Sequence, residues 1–70
     1  MTAKLRVYLR DHRTDAGLTQ AELAAAAGVS RKTINTIENG VFTPSTILAL
    51  TLAQELDCSV HDLFALPEDE

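Results

Sequence analysis

The sequence has a single cysteine, Cys58, so no disulfide can close within the chain. A lone thiol fits a reducing, cytosolic compartment. Cys58 and His61 are near neighbours, but only His12 and scattered carboxylates could complete a ligand set, so no metal site is expected. No apolar run approaches the roughly 18–20 residues that a membrane span requires. Met1-Thr2-Ala3-Lys4 is not followed by an apolar signal region, and no membrane partner is expected. No serine, cysteine or carboxylate pair has a partnered base at recognisable spacing, and no glycine loop could cradle a phosphate. These absences point away from an enzyme and call for no cofactor. Repeats, linkers and low-complexity segments are also missing.

Lys and Arg are absent after residue 32. All six basic residues (Lys4, Arg6, Arg10, Arg13, Arg31 and Lys32) fall within residues 1–32, whose net charge is +3. Residues 33–70 carry a net −7, so the overall −4 hides a polar split that would present the basic end first to a polyanion. A length of 70 residues suggests one domain, residues 1–66, followed by an acidic tail, residues 67–70. A core of this size is marginal, and oligomerisation would add stability. The length leaves no effector domain, so no small-molecule ligand is expected.

The pattern predicts an all-α domain of five helices with no strand. The first spans about residues 3–15, with Leu5, Tyr8, Leu9, His12 and Ala16 towards the core, and stops at Gly17. Thr19-Gln20-Ala21-Glu22 forms a capping box that opens the second helix, which ends at Ala27 before Gly28. Ser30 caps the third, which runs to about Asn39 and stops at Gly40. The fourth covers about residues 45–56, with Leu48, Ala49, Leu52, Ala53 and Leu56 as its buried stripe. Ser59-Val60-His61-Asp62 starts a short fifth helix through Phe64, with Val60, Leu63 and Phe64 closing the core, and Pro67 prevents its extension.

The second and third helices, joined across Gly28, form a tight unit. Ala24 is small enough for close approach, and Val29, Ile34 and Ile37 plug the angle between the helices with Leu23 below. At about 100° per residue, Ile34 and Ile37 share the inner face of the third helix. Lys32, Thr36 and Asn39 then point away from it, with Asn35 beside them and Arg31 on the flank. No acid stands at these outward positions. Arg31 and Lys32 can donate to guanine O6 and N7 or to phosphate, Asn35 can pair with adenine, and the Thr36 methyl can meet that of thymine. Asn39 suits a phosphate. Gln20 opens the second helix, where free amides favour an anion. A generic helical hairpin with a merely solvated face is the bland alternative for the same pattern.

These residues resemble the Cro/phage-repressor-type (XRE-type) helix-turn-helix family from about Leu9 to Phe64. The resemblance is carried by Arg13, by Gly17-Leu18-Thr19-Gln20-Ala21-Glu22-Leu23-Ala24, by Gly28-Val29-Ser30-Arg31-Lys32-Thr33-Ile34 and by Ile37-Glu38-Asn39-Gly40. Pro44-Ser45, Ala53, Leu56 and Val60-His61-Asp62-Leu63-Phe64 extend it. It implies a compact five-helix DNA-binding domain. Arg31, Lys32 and Thr36 would read bases, with Ser30, Thr33 and Asn35 flanking, and Gln20 and Asn39 would touch phosphate. Arg13 and Glu38 would form an internal salt bridge. Val41-Phe42-Thr43 departs from the basic loop of many relatives, which shifts phosphate binding to Asn39, Thr43, Ser45 and backbone amides. Phe42 is expected to pack under that loop, and His12 and Cys58 to be tucked into the core.

The function implied is a cytoplasmic, nucleoid-associated transcriptional regulator, by default a repressor. It would bind double-stranded DNA at an inverted-repeat operator as a homodimer through a surface including Cys58, Val60, Leu63 and Leu66. Half-sites would lie about 34–36 Å apart. The alternatives are a helix-turn-helix-derived protein-interaction module (an antitoxin or anti-repressor) and the same biochemistry in a restriction–modification controller or phage immunity switch.

Overall fold

The computed structural model describes residues 4–67. It contains β1 (Arg6–Val7), α1 (Leu9–Asp15), α2 (Gln20–Ala27), α3 (Arg31–Glu38), α4 (Thr46–Glu55), α5 (Val60–Leu63) and β2 (Phe64–Ala65). The five-helix architecture is present. Residues 68–70, most of the expected acidic tail, lie outside the described residues.

The strands are a departure from the sequence reading. β1 and β2 pair antiparallel, with Arg6 opposite Ala65 and Val7 opposite Phe64. The Tyr8 amide extends the pairing by donating to the Leu63 carbonyl at 2.8 Å. α1 therefore starts at Leu9, and Phe64 leaves α5 in extended conformation. The cause is visible in exposure: from Lys4 to Tyr8 the side chains alternate exposed and half-buried, which is the period of a strand. Tyr8 and Ala16, expected inside, are exposed, and His12 is half-buried.

Leu9, Leu23, Ala24, Ile34, Ile37, Leu52, Ala53, Leu63 and Phe64 form one core drawn from α1 to α5 and β2. Leu9, Leu23, Ile34, Ile37, Leu52 and Leu63 are wholly covered. Each such side chain contributes about 1.5–3 kcal/mol of burial. Leu63 is thus a core residue and is removed from the partner-facing set, because a side chain with no exposed surface cannot touch a second molecule. Cys58 is half-buried and packs against this core. Desolvation, with Asp62 and Asp57 nearby, pushes its thiol pKa up, which favours the protonated thiol.

α1 to α4 end alike. In each, an amide bonds back five residues, Leu18 to Arg13, Val29 to Ala24, Val41 to Thr36 and Cys58 to Ala53, in the Schellman pattern. Gly28 holds the turn between α2 and α3 at φ 76°. A Cβ there would meet nothing within 4 Å, so glycine is required by the left-handed backbone and not by crowding. After α4 the equivalent place is taken by Asp57 at φ 56°.

Candidate nucleic-acid interface

Ser30 sets the start of α3 by accepting from the Thr33 amide at 3.1 Å, and its hydroxyl also bonds the Thr33 hydroxyl at 2.9 Å. Ile34 and Ile37 anchor the inner face at 0% exposure. Arg31 and Lys32 are exposed, as is Asn39, while Thr33, Asn35 and Thr36 are half-buried. The Thr36 hydroxyl lies 3.0 Å from both the Lys32 and the Thr33 carbonyls, so its donor is committed to the backbone. Thr36 lines a shallow cleft with Ser30, Lys32, Thr33, Val41 and Phe42. Phe42 is 47% exposed, so it flanks this cleft and is not packed beneath the loop. The Val41 and Phe42 amides both donate to the Thr36 carbonyl, which explains why the loop runs beside α3.

The only acid of α3, Glu38, is taken off the surface altogether, with its side chain 0% exposed. Arg13 clamps it, Nε donating to Oε2 at 2.6 Å and Nη2 to Oε1 at 3.2 Å, while Nη1 donates to the Leu18 carbonyl at 2.8 Å. Gln20 Nε2 donates to Glu38 Oε1 at 3.0 Å, and Arg10 Nε approaches the same oxygen at 3.4 Å. Burial pushes the Glu38 pKa up. Hydrogen bonds from Arg13 and Gln20, the Arg13 charge and the Arg10 bond outweigh it and hold the carboxyl below the usual carboxylate range. The hydrogen bond to Glu38 in turn raises Arg13, against its own desolvation.

Two expectations shift. Gln20, assigned to phosphate, turns its amide inward onto Glu38. The start of α2 still leaves amides with no carbonyl one turn earlier, and the Thr19–Glu22 capping box fixes their direction. Thr43 lines an apolar groove with Leu5, Pro44, Leu50, Val60 and Phe64, apart from the α3 cleft. Ser45 is occupied as the cap of α4, accepting from the Leu48 amide at 3.1 Å. Arg10 is a site residue that the sequence pattern alone does not single out. It is half-exposed and bonds both Glu38 and Asn39. Its position one turn before Arg13 was the available signal.

A short helix with a cationic, amide-bearing outer flank, held at a fixed angle by its partner across a glycine turn, defines a DNA-binding helix-turn-helix domain. The helix-turn-helix family model matches residues 9–63, and the chain belongs to the XRE-type helix-turn-helix family of transcriptional regulators. An uncharacterized HTH-type transcriptional regulator of Methanothermobacter thermautotrophicus is 46% identical over 66 residues, covering 93% of this chain and 96% of the relative. Among solved structures, the restriction-modification controller protein C.AhdI from Aeromonas hydrophila is 38% identical with a TM-score of 0.75, over 80% of this chain and 85% of that one. The biofilm regulator SinR in complex with DNA is 31% identical with a TM-score of 0.71, over 76% of this chain and 86% of that one.

Proposed function

We propose that this regulator is a sequence-specific repressor that binds an inverted-repeat operator as a homodimer, with α3 of each protomer in the major groove. The observation that carries the reading is the flank Arg31, Lys32, Asn35, Thr36 and Asn39, which stays free of negative charge because Glu38 is buried and paired. Arg31, Lys32 and Thr36 meet base edges, Ser30, Thr33 and Asn35 border them, and Asn39 with the first amides of α2 meets phosphate. The acidic half faces away from the duplex. Repression follows from occupying DNA that polymerase needs, in the cytoplasm.

The homodimer is supported by apolar exposure on the opposite half. Ile47, Leu50 and Leu66 are 79%, 57% and 81% exposed. Val60 lines the groove beside Leu50, and Cys58 borders the same α4–α5 turn. Covering these side chains with a second copy would remove a cost that a lone small domain bears poorly.

Selection of bound fragments from random duplex DNA tests the reading. A repeat of two half-sites about 34–36 Å apart should be enriched. Affinity for the enriched site should fall steeply with salt as phosphate contacts release counterions. Failure to enrich any sequence, with binding insensitive to salt, would instead favour a protein-interaction module.

A further inference from the structure

A line of hydrogen bonds leads from the buried carboxylate to the outer flank of α3. Arg10 Nε faces Glu38 Oε1 at 3.4 Å, Arg10 Nη2 donates to Asn39 Oδ1 at 3.1 Å, and Asn39 Nδ2 donates to Asn35 Oδ1 at 3.2 Å. The direction of the line is enforced by chemistry. A guanidinium has donors only, so it takes the oxygen of Asn39 and turns the Asn39 nitrogen towards Asn35. That nitrogen takes the Asn35 oxygen and leaves Asn35 Nδ2 as the edge with no partner among the described residues. The origin of the line is fixed as well, because Glu38 is wholly covered and clamped by Arg13.

We propose that Arg10 is a positioning residue for base recognition: through Asn39 it makes Asn35 present a donor edge to the DNA. An asparagine in this state favours the acceptors N7 and O6 of guanine. Paired recognition of adenine would need the oxygen as well. This rests on the DNA-reading role proposed above and assigns a base class within it. It also replaces the adenine pairing that the asparagine suggested in sequence alone.

The test is selection from random duplexes by the wild-type chain and by Arg10→Ala, Arg10→Lys, Asn39→Ala and Asn35→Ala, each first checked for cooperative melting. The wild-type site should contain a guanine whose preference over adenine is lost in Asn35→Ala. Arg10→Ala and Asn39→Ala should reduce that preference by about tenfold at the same base pair. Arg10→Lys keeps the charge but lacks the planar fork, so it should lose the preference while keeping its affinity for random DNA. Uniform loss on all sequences in the Arg10 variants, with the base preference intact, would overturn the proposal. So would an unchanged site in Asn35→Ala. A wild-type chain that enriches no site fails the DNA-reading role itself, and this inference falls with it.

Discussion

The two halves of the molecule are held together differently. Among the described residues, every side chain–side chain bond that joins two elements lies within α1, α2 and α3, and converges on Glu38 or Asn39. Around α4 and α5 the side-chain bonds are local: Ser45 caps α4, Ser59 and Asp62 form a capping box, and Thr51 bonds the Ile47 carbonyl. That half is tied to the rest by packing and by main-chain bonds, the β1–β2 pairing and the Tyr8 amide on the Leu63 carbonyl, and it leaves Ile47, Leu50 and Leu66 in water. A surface that reads hydrogen-bond patterns needs side chains held in place, which polar wiring provides. A surface that meets another apolar surface needs only shape and exposure.

The largest predicted effect breaks the wired half. Glu38→Ala leaves Arg13 without its buried partner and should cost about 3–5 kcal/mol in chemical denaturation. Total stability for a domain of this kind is about 5–15 kcal/mol, so partial unfolding at ambient temperature is within reach. Acid attacks the same point. The folded Glu38 pKa lies below its unfolded value, so its stabilisation is complete above the ordinary carboxylate range and is lost as pH falls through the depressed folded value. Melting temperature measured against pH should show that acid limb, and Glu38→Gln should flatten it.

A core cut in the other half should look similar in stability and different in function. Leu52 is wholly covered, and Leu52→Ala should cost about 2–5 kcal/mol in the same denaturation assay. Its folded fraction should keep the wild-type base preference. Lys32→Ala or Thr36→Ala should do the converse: near-normal melting, with about 1–3 kcal/mol of discrimination lost where a base contact disappears, read from gel shifts on matched and mismatched sites. The smallest effects concern the turns. Gly28→Ala should cost about 1–2 kcal/mol through its left-handed backbone alone. Asp57→Gly should instead raise stability by about 0.5 kcal/mol, since glycine tolerates φ 56° but gives back part of the gain in chain entropy. Thermal melting of the pair compares the two turns directly.

Much of this is legible in the sequence. The caps at Thr19, Ser30 and Ser59 carry their signal within four residues, and the inward pair Ile34 and Ile37 fixes which flank of α3 faces out. What was misread depends on distant partners. The alternation from Lys4 to Tyr8 is too short to outvote helical spacing, and only β2, nearly sixty residues later, makes it a strand. Phe42 is misplaced, and Leu63, read both as core and as partner-facing, belongs to the core alone, because one apolar side chain reads alike in a core and on a surface. The engagement of Gln20 and Arg10 with Glu38 is likewise invisible in one dimension, because three helices must meet before three side chains share one carboxylate.

If the outer flank of α3 meets nucleobases, a bound duplex must perturb that flank first. Titrating isotope-labelled protein with its enriched duplex, and following backbone and side-chain amide resonances, tests it most directly. The largest shifts should fall on Arg31, Lys32, Asn35, Thr36 and Asn39, with Leu52 and Ala53 in the core almost unmoved. Shifts confined to α4 and α5, with the α3 amides unchanged at saturation, would contradict it.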